Sequence, residues 1–140
     1  MFTQIQTDLI RSSFAAVMAT RPEMATDFYT RLFITAPQLR DMFPQDVTTQ
    51  ATKLEATLQV ALSTLGAPET LIAPLHALGA RHAKIGVQDC YYITVSEVLL
   101  DTLAAEAGDL WTAETSQAWG ALLEFISKTM IEGAKHARAA

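Results

Sequence analysis

Apolar side chains recur along this chain at three- and four-residue intervals, and prolines and glycines cut the recurrence into seven stretches. Ile10, Phe14, Val17 and Met18 share one face of a stretch over 4–19. Thr20 is placed to cap the next stretch, with Pro22 in its first turn, and Met24, Phe28, Tyr29 and Leu32 form its apolar face. A short piece over 37–43 opens on Pro37. The stretch over 47–65 is the most regular: Val47, Ala51, Leu54, Leu58, Ala61 and Leu65 fall within about 80° of one another on a helical wheel. Leu71, Leu75 and Leu78 mark a helix over 69–83, and Tyr92, Val95, Leu99 and Leu103 mark one over 89–106. The last begins after Thr112, a cap candidate, and carries Trp119, Leu122, Leu123, Ile126 and Met130 to about 135. The run from Tyr91 to Val95 has the β-branched, aromatic composition of a strand. It lies inside a longer helical period and has no second strand to pair with, so it is read as helix. The pattern predicts an all-α fold of six or seven helices around one core.

Composition narrows the function. Half of the 140 residues are hydrophobic and 18% are charged, a globular balance. This length predicts a single domain over 1–140. A second, nucleotide-binding redox domain would need roughly 100–150 residues more, so any electrons are expected from another protein. Ten Lys and Arg stand against fifteen Asp and Glu, a net charge of -5 with no basic block, which argues against nucleic acid as a partner. The single cysteine, Cys90, forms no intrachain disulfide and demands no oxidising compartment. The first basic residue is Arg11 and no apolar run approaches the roughly 18 residues of a membrane span. No membrane is therefore expected, and the cytoplasm is the expected location.

One residue breaks the apolar pattern. His82 continues the stripe of Leu71, Leu75 and Leu78, at the centre of that face, whereas His76 points away and reads as solvated. On its own, a histidine there is more often a core residue with a hydrogen-bond partner than a metal ligand. A ligand reading has one natural form. The sequence around His82 offers no second ligand with zinc-like spacing, so the metal would bring its own equatorial ligands, as haem iron does with one proximal histidine. Gln50 lies at the margin of the apolar face of 47–65, with Lys53 further out. That order suits a flat apolar cofactor with an anionic rim. It suits equally well a boundary glutamine beside a solvated lysine. Tyr29 reads either as a core aromatic or as a hydroxyl that needs a partner.

Taken in order, several short motifs together resemble the globin family, and within it bacterial single-domain haemoglobins and the haem domain of flavohaemoglobins. They are DFYTRLF at 27–33, AP at 36–37, MFP at 42–44, QATKL at 50–54, RHAKIGV at 81–87, YY at 91–92 and GDLWTAETSQAWG at 108–120. The resemblance implies a globin fold around haem b (iron protoporphyrin IX). It implies His82 as proximal iron ligand, Tyr29 and Gln50 as distal hydrogen-bonding residues, and Phe43 as the corner phenylalanine packed on the haem. Leu54, Leu78, Val87, Tyr92 and Val95 are implied as further haem-pocket residues, with Lys53, Arg81 and Lys84 toward the propionates. In flavohaemoglobins a tyrosine and a glutamate polarise the proximal histidine. Tyr92 matches the tyrosine, but the glutamate position falls at Ala134, with Glu132 two residues away on another face. The stretch from Phe43 to Gln50 is also shorter than in that group.

The resemblance implies reversible binding of oxygen, and of nitric oxide, at ferrous iron, with oxygen transport among the uses. Two distal donors to a partly charged ligand, each worth roughly 1.5–3 kcal/mol, predict slow oxygen release. The first rival is a nitric oxide dioxygenase that depends on a separate reductase. The second is a gas- or redox-sensing helical module with Cys90 as its handle.

Overall fold

The computed structural model describes residues 2–139, and among them no strand occurs. Six α-helices follow one another: α1 Gln4–Thr20, α2 Met24–Thr35, α3 Thr48–Ser63, α4 Ile72–Lys84, α5 Asp89–Ala107 and α6 Ala113–Ala139. Short 3-10 turns at Pro37–Met42, Pro68–Leu71 and Gly108–Leu110 connect them. The all-α expectation holds, and the Tyr91 to Val95 run lies within α5.

Local chemistry sets most boundaries. Thr3 and Gln6 form a reciprocal capping box at the start of α1, each side chain accepting from the other's backbone N–H at 3.0 Å. Thr112 caps α6 by accepting from the Thr115 N–H at 3.1 Å. Thr20 does not cap α2. It is the last residue of α1, and its hydroxyl donates back to the Ala16 carbonyl at 3.1 Å. Pro22 sits in the intervening turn, and α2 starts at Met24 without a side-chain cap. The last helix also runs beyond the expected end near 135, through Ala139.

The core is built where these apolar stripes meet. Trp119 of α6 is fully buried, packs 6.2 Å from Phe14 of α1 and donates its indole N–H to the Ser13 hydroxyl at 2.8 Å. Around it lie Ile10, Val17, Phe28, Leu103 and Leu122, all 2% exposed or less. A second apolar cluster gathers Ala61, Leu71, Leu75, Tyr92 and Met130. It rests on a close crossing of α4 and α6. A Cβ on Gly79 would run into the Met130 backbone, and one on Gly133 into the His76 backbone. Helix α3 packs against α1 and α2, whereas α4 packs chiefly against α6 and meets α3 in the second cluster, through Leu75 and Ala61.

Candidate functional site

His82 lies in the last turn of α4, and the residues after it fix that end. Gly86 takes a left-handed φ of 92°, which glycine adopts without steric cost. The Gly86 N–H then reaches the Ala83 carbonyl and the Val87 N–H reaches the His82 carbonyl, both at 3.1 Å. This pair of bonds is a Schellman closure. The run RHAKIGV thus ends its helix one turn past the histidine. The His82 ring is half-buried, and its Nδ1 lies 2.8 Å from the Leu78 carbonyl. A carbonyl only accepts, so Nδ1 carries the proton and Nε2 keeps a free lone pair.

Tyr92 lies 6.5 Å from His82, ring centre to ring centre, with the planes 34° apart. Its hydroxyl is buried without a hydrogen-bond partner, and burial raises its pKa. No glutamate reaches this pair. Ala134 is buried in the position where the flavohaemoglobin-like relay would place one, and Glu132 turns outward to His76 at 3.4 Å. His76 is accordingly only part-exposed, its ring also edge-on to His136 at 5.4 Å, rather than freely solvated. No group of three metal-ligating side chains occurs among the described residues.

Tyr29 projects from α2 into a nest of aromatic rings. Phe28, Phe43 and Phe33 lie at 4.9, 5.4 and 6.0 Å from it. Burial pushes its pKa up to about 12, so the hydroxyl stays protonated and able to donate. Phe43 is positioned by Arg40, whose guanidinium stacks on Phe33 at 4.6 Å and donates to the carbonyls of Phe43, Pro44 and Gln45. Gln50 stands in the first turn of α3, half-buried, and its side-chain oxygen is buried with no donor near it. Asp46 starts that helix by accepting from the Thr48 N–H at 2.9 Å.

The structure therefore divides the residues singled out in the sequence. Tyr29, Phe43, Leu54 and Val95 belong to the larger apolar cluster, and Leu78, Val87 and Tyr92 to the smaller one. Lys53, Arg81, Lys84 and Cys90 are exposed. Three buried or half-buried polar groups, at Gln50, Tyr92 and His82, have an unused hydrogen-bonding or ligating atom. Orphaned polar atoms of this kind call for a partner from outside the chain. A flat group with one axial ligand position fits this chemistry.

The family model for globins matches residues 26–130. The chain is a globin. A leghemoglobin of Psophocarpus tetragonolobus is 35% identical over 84% of this globin and 88% of its own length. An anaerobic nitrite reductase of rice, Oryza sativa subsp. japonica, is 28% identical over 97% of this chain and 98% of its own. Among solved structures, a bacterial globin from Campylobacter jejuni superposes with a TM-score of 0.84 at 19% identity, over 99% of this chain and 100% of that one. An engineered carbene transferase of Rhodothermus marinus origin gives 0.86 at 24%, over 99% and 97%. At those identities the two structures show a shared fold. Family membership implies a haem and the binding of oxygen or other diatomic gases. None of the described helices is long and apolar enough to cross a membrane.

One ionisable residue escaped the sequence reading. Glu106 continues the Leu99 and Leu103 stripe of α5, much as His82 continues that of α4, and its side chain is only 7% exposed. Its place in that stripe was the available signal.

Proposed function

We propose that this globin binds haem b through His82 and reversibly binds oxygen, and nitric oxide, as a single unit over 1–140. The state of His82 carries the reading: with its Nδ1–H given to the Leu78 carbonyl at 2.8 Å, Nε2 is left free and would hold the haem iron. Haem, when bound, would supply an iron able to take a small gas reversibly. Tyr29 then acts as a protonated donor in a dry aromatic nest, toward the partial negative charge on the gas. A half-turn of the Gln50 amide replaces its orphaned oxygen with an NH2 group and makes it a second donor. Phe43 and Leu54 would exclude water on this side, and Leu78, Val87 and Val95, partly buried in the apolar clusters, would supply the remaining apolar contacts. The exposed cations Lys53, Arg81 and Lys84 suit the propionates at the rim.

The proximal side favours binding over bond-breaking chemistry. A peptide carbonyl draws the Nδ1 proton far less than a carboxylate does, so the imidazole donates modestly to a metal. A second reading, a nitric oxide dioxygenase fed by an external reductase, uses the same distal donors. The full-length similarity to a relative named as an anaerobic nitrite reductase supports redox chemistry on nitrogen oxides as a class rather than the dioxygenase reaction itself. The test is a visible spectrum after reconstitution with haem. The wild type should show a Soret band that shifts with oxygen and carbon monoxide, and His82→Ala should fail to retain haem. Retention of a normal, gas-sensitive spectrum by the variant removes His82 as ligand. Repeated rounds of nitrate formation with a reductase present would establish the second reading; one stoichiometric burst leaves the first.

A further inference from the structure

The corner where α1 ends, α2 begins and α5 finishes holds a cluster of charges remote in role from the haem site. Glu106 reaches into it from the last turns of α5. Its carboxyl group is buried, and neither oxygen accepts a hydrogen bond from an N–H or a hydroxyl. Arg21, in the turn after α1, is the nearest cation, with Nε 3.5 Å from Glu106 Oε1. That guanidinium is already engaged. It pairs with Glu23 at 3.2 Å and donates to Asp27 Oδ2 at 3.1 Å. From α2 the facing groups are Asp27 and, further off, Arg31. Three carboxylates thus compete for one guanidinium, and the most buried of them has the poorest contact. A cleft of about 450 Å³, lined by Arg21, Asp27, Thr30, Arg31, Ala105 and Glu106, opens beside the cluster and connects it to solvent.

Asp27 and Glu106 meet at the same Arg21 guanidinium, and with Glu106 buried the two do not both ionise, because the second charge meets both desolvation and like-charge repulsion. We infer that Asp27 and Glu106 share a single proton, and that the shared O–H···O bond is a pH-sensitive latch tying the start of α2 to the end of α5. In the closed form the Glu106 hydroxyl donates to the Asp27 carboxylate, which also accepts from Arg21. Loss of the proton leaves two facing carboxylates with one engaged guanidinium between them. Burial and the neighbouring Asp27 push Glu106 up from its ordinary 4.5 to about 7, while the hydrogen bond from Glu106 holds Asp27 low. The direction of the effect follows. Between about 4.5 and 7 the folded chain holds a proton at Glu106 that the unfolded chain has released, so stability falls as pH rises through that window. The latch contributes fully below it and is lost above it. Asp27 acts the other way, since its contribution disappears only near and below 3.8, outside this window.

The inference does not rest on the gas-binding reading. Its test compares equilibrium urea unfolding of the purified chain with that of Glu106→Gln from pH 5 to 8.5. The amide keeps a donor toward Asp27 and cannot ionise. Every ionisable group other than Glu106 is common to both proteins and cancels in the difference. The expected result is an unfolding constant for the wild type that rises, relative to the variant, by up to about tenfold per pH unit, one proton's worth. The variant should be the more stable at pH 8.5. A pH-independent difference overturns the latch. Should the variant not fold, the carboxyl-carbon titration of Glu106 in the wild type decides by NMR: a midpoint near neutrality supports the shared proton, and an ordinary midpoint near 4.5 overturns it.

Discussion

Burial at Tyr29 sets both the protonation and the reach of a single hydroxyl. With its pKa pushed up to about 12 it remains a donor at any physiological pH, and the phenyl rings around it exclude competing water. Tyr29→Phe removes that donor and little volume. A hydrogen bond to a charged acceptor is worth roughly 1.5–3 kcal/mol, so oxygen should dissociate at least tenfold faster, about 1.4 kcal/mol, in stopped-flow measurements. An unchanged off-rate would take Tyr29 out of the gas pocket. The wild-type off-rate should show no tyrosine titration between about pH 6 and 10, because the group stays neutral there. His82 was visible in the sequence because a polar residue interrupted an apolar stripe. Its tautomer was not, since the Leu78 carbonyl that fixes it belongs to the folded helix.

Helix ends and crossings depend on a few small or cyclic residues. Gly86 closes α4 just beyond His82, and the motif RHAKIGV announces it. Pro22 and Thr20 announced a start that does not occur: Thr20 bonds backward to Ala16 and extends α1 instead. A threonine hydroxyl serves either role, and neighbouring contacts decide which. The glycines of α4 and α6 divide in the same way. Gly79 and Gly133 mark the contact of α4 with α6, where a methyl group would meet backbone, whereas a Cβ on Gly120 meets nothing within 4 Å. Gly79→Ala should lower stability by about 1–3 kcal/mol, because rigid backbone has to move. Gly120→Ala should raise it by about 0.5–1 kcal/mol through helix propensity alone. Urea denaturation of the two variants checks both signs. Equal effects would show that the close crossing is not what Gly79 provides.

Across the whole molecule, the two apolar clusters share helices α3, α5 and α6, and α4 enters only the smaller one, where its Leu75 joins Ala61 of α3. A group bound between the residues of these clusters would hold them together, and a ligand that binds only the folded chain stabilises it by mass action. Haem at a free concentration 1,000 times its dissociation constant should add about 4 kcal/mol to the unfolding free energy. The added stability should vanish in His82→Ala, as read by thermal unfolding with and without haem. An equal increment in the variant would place the haem elsewhere.

The sequence by itself determined which faces are apolar, hence six of the helices and the all-α class, because a 3.6-residue period is written directly in the order of residues. It also determined the residue types on which the proposed site depends, His82, Tyr29, Gln50 and Phe43. Tertiary structure alone decided which helix covers each face. It brought Glu132 to His76 instead of His82, left the Tyr92 hydroxyl and the Gln50 oxygen without partners, and buried Glu106 beside Arg21. Periodicity fixes the direction a side chain takes from its own helix. What it meets there belongs to another part of the chain, and that meeting sets burial, hydrogen bonding and charge.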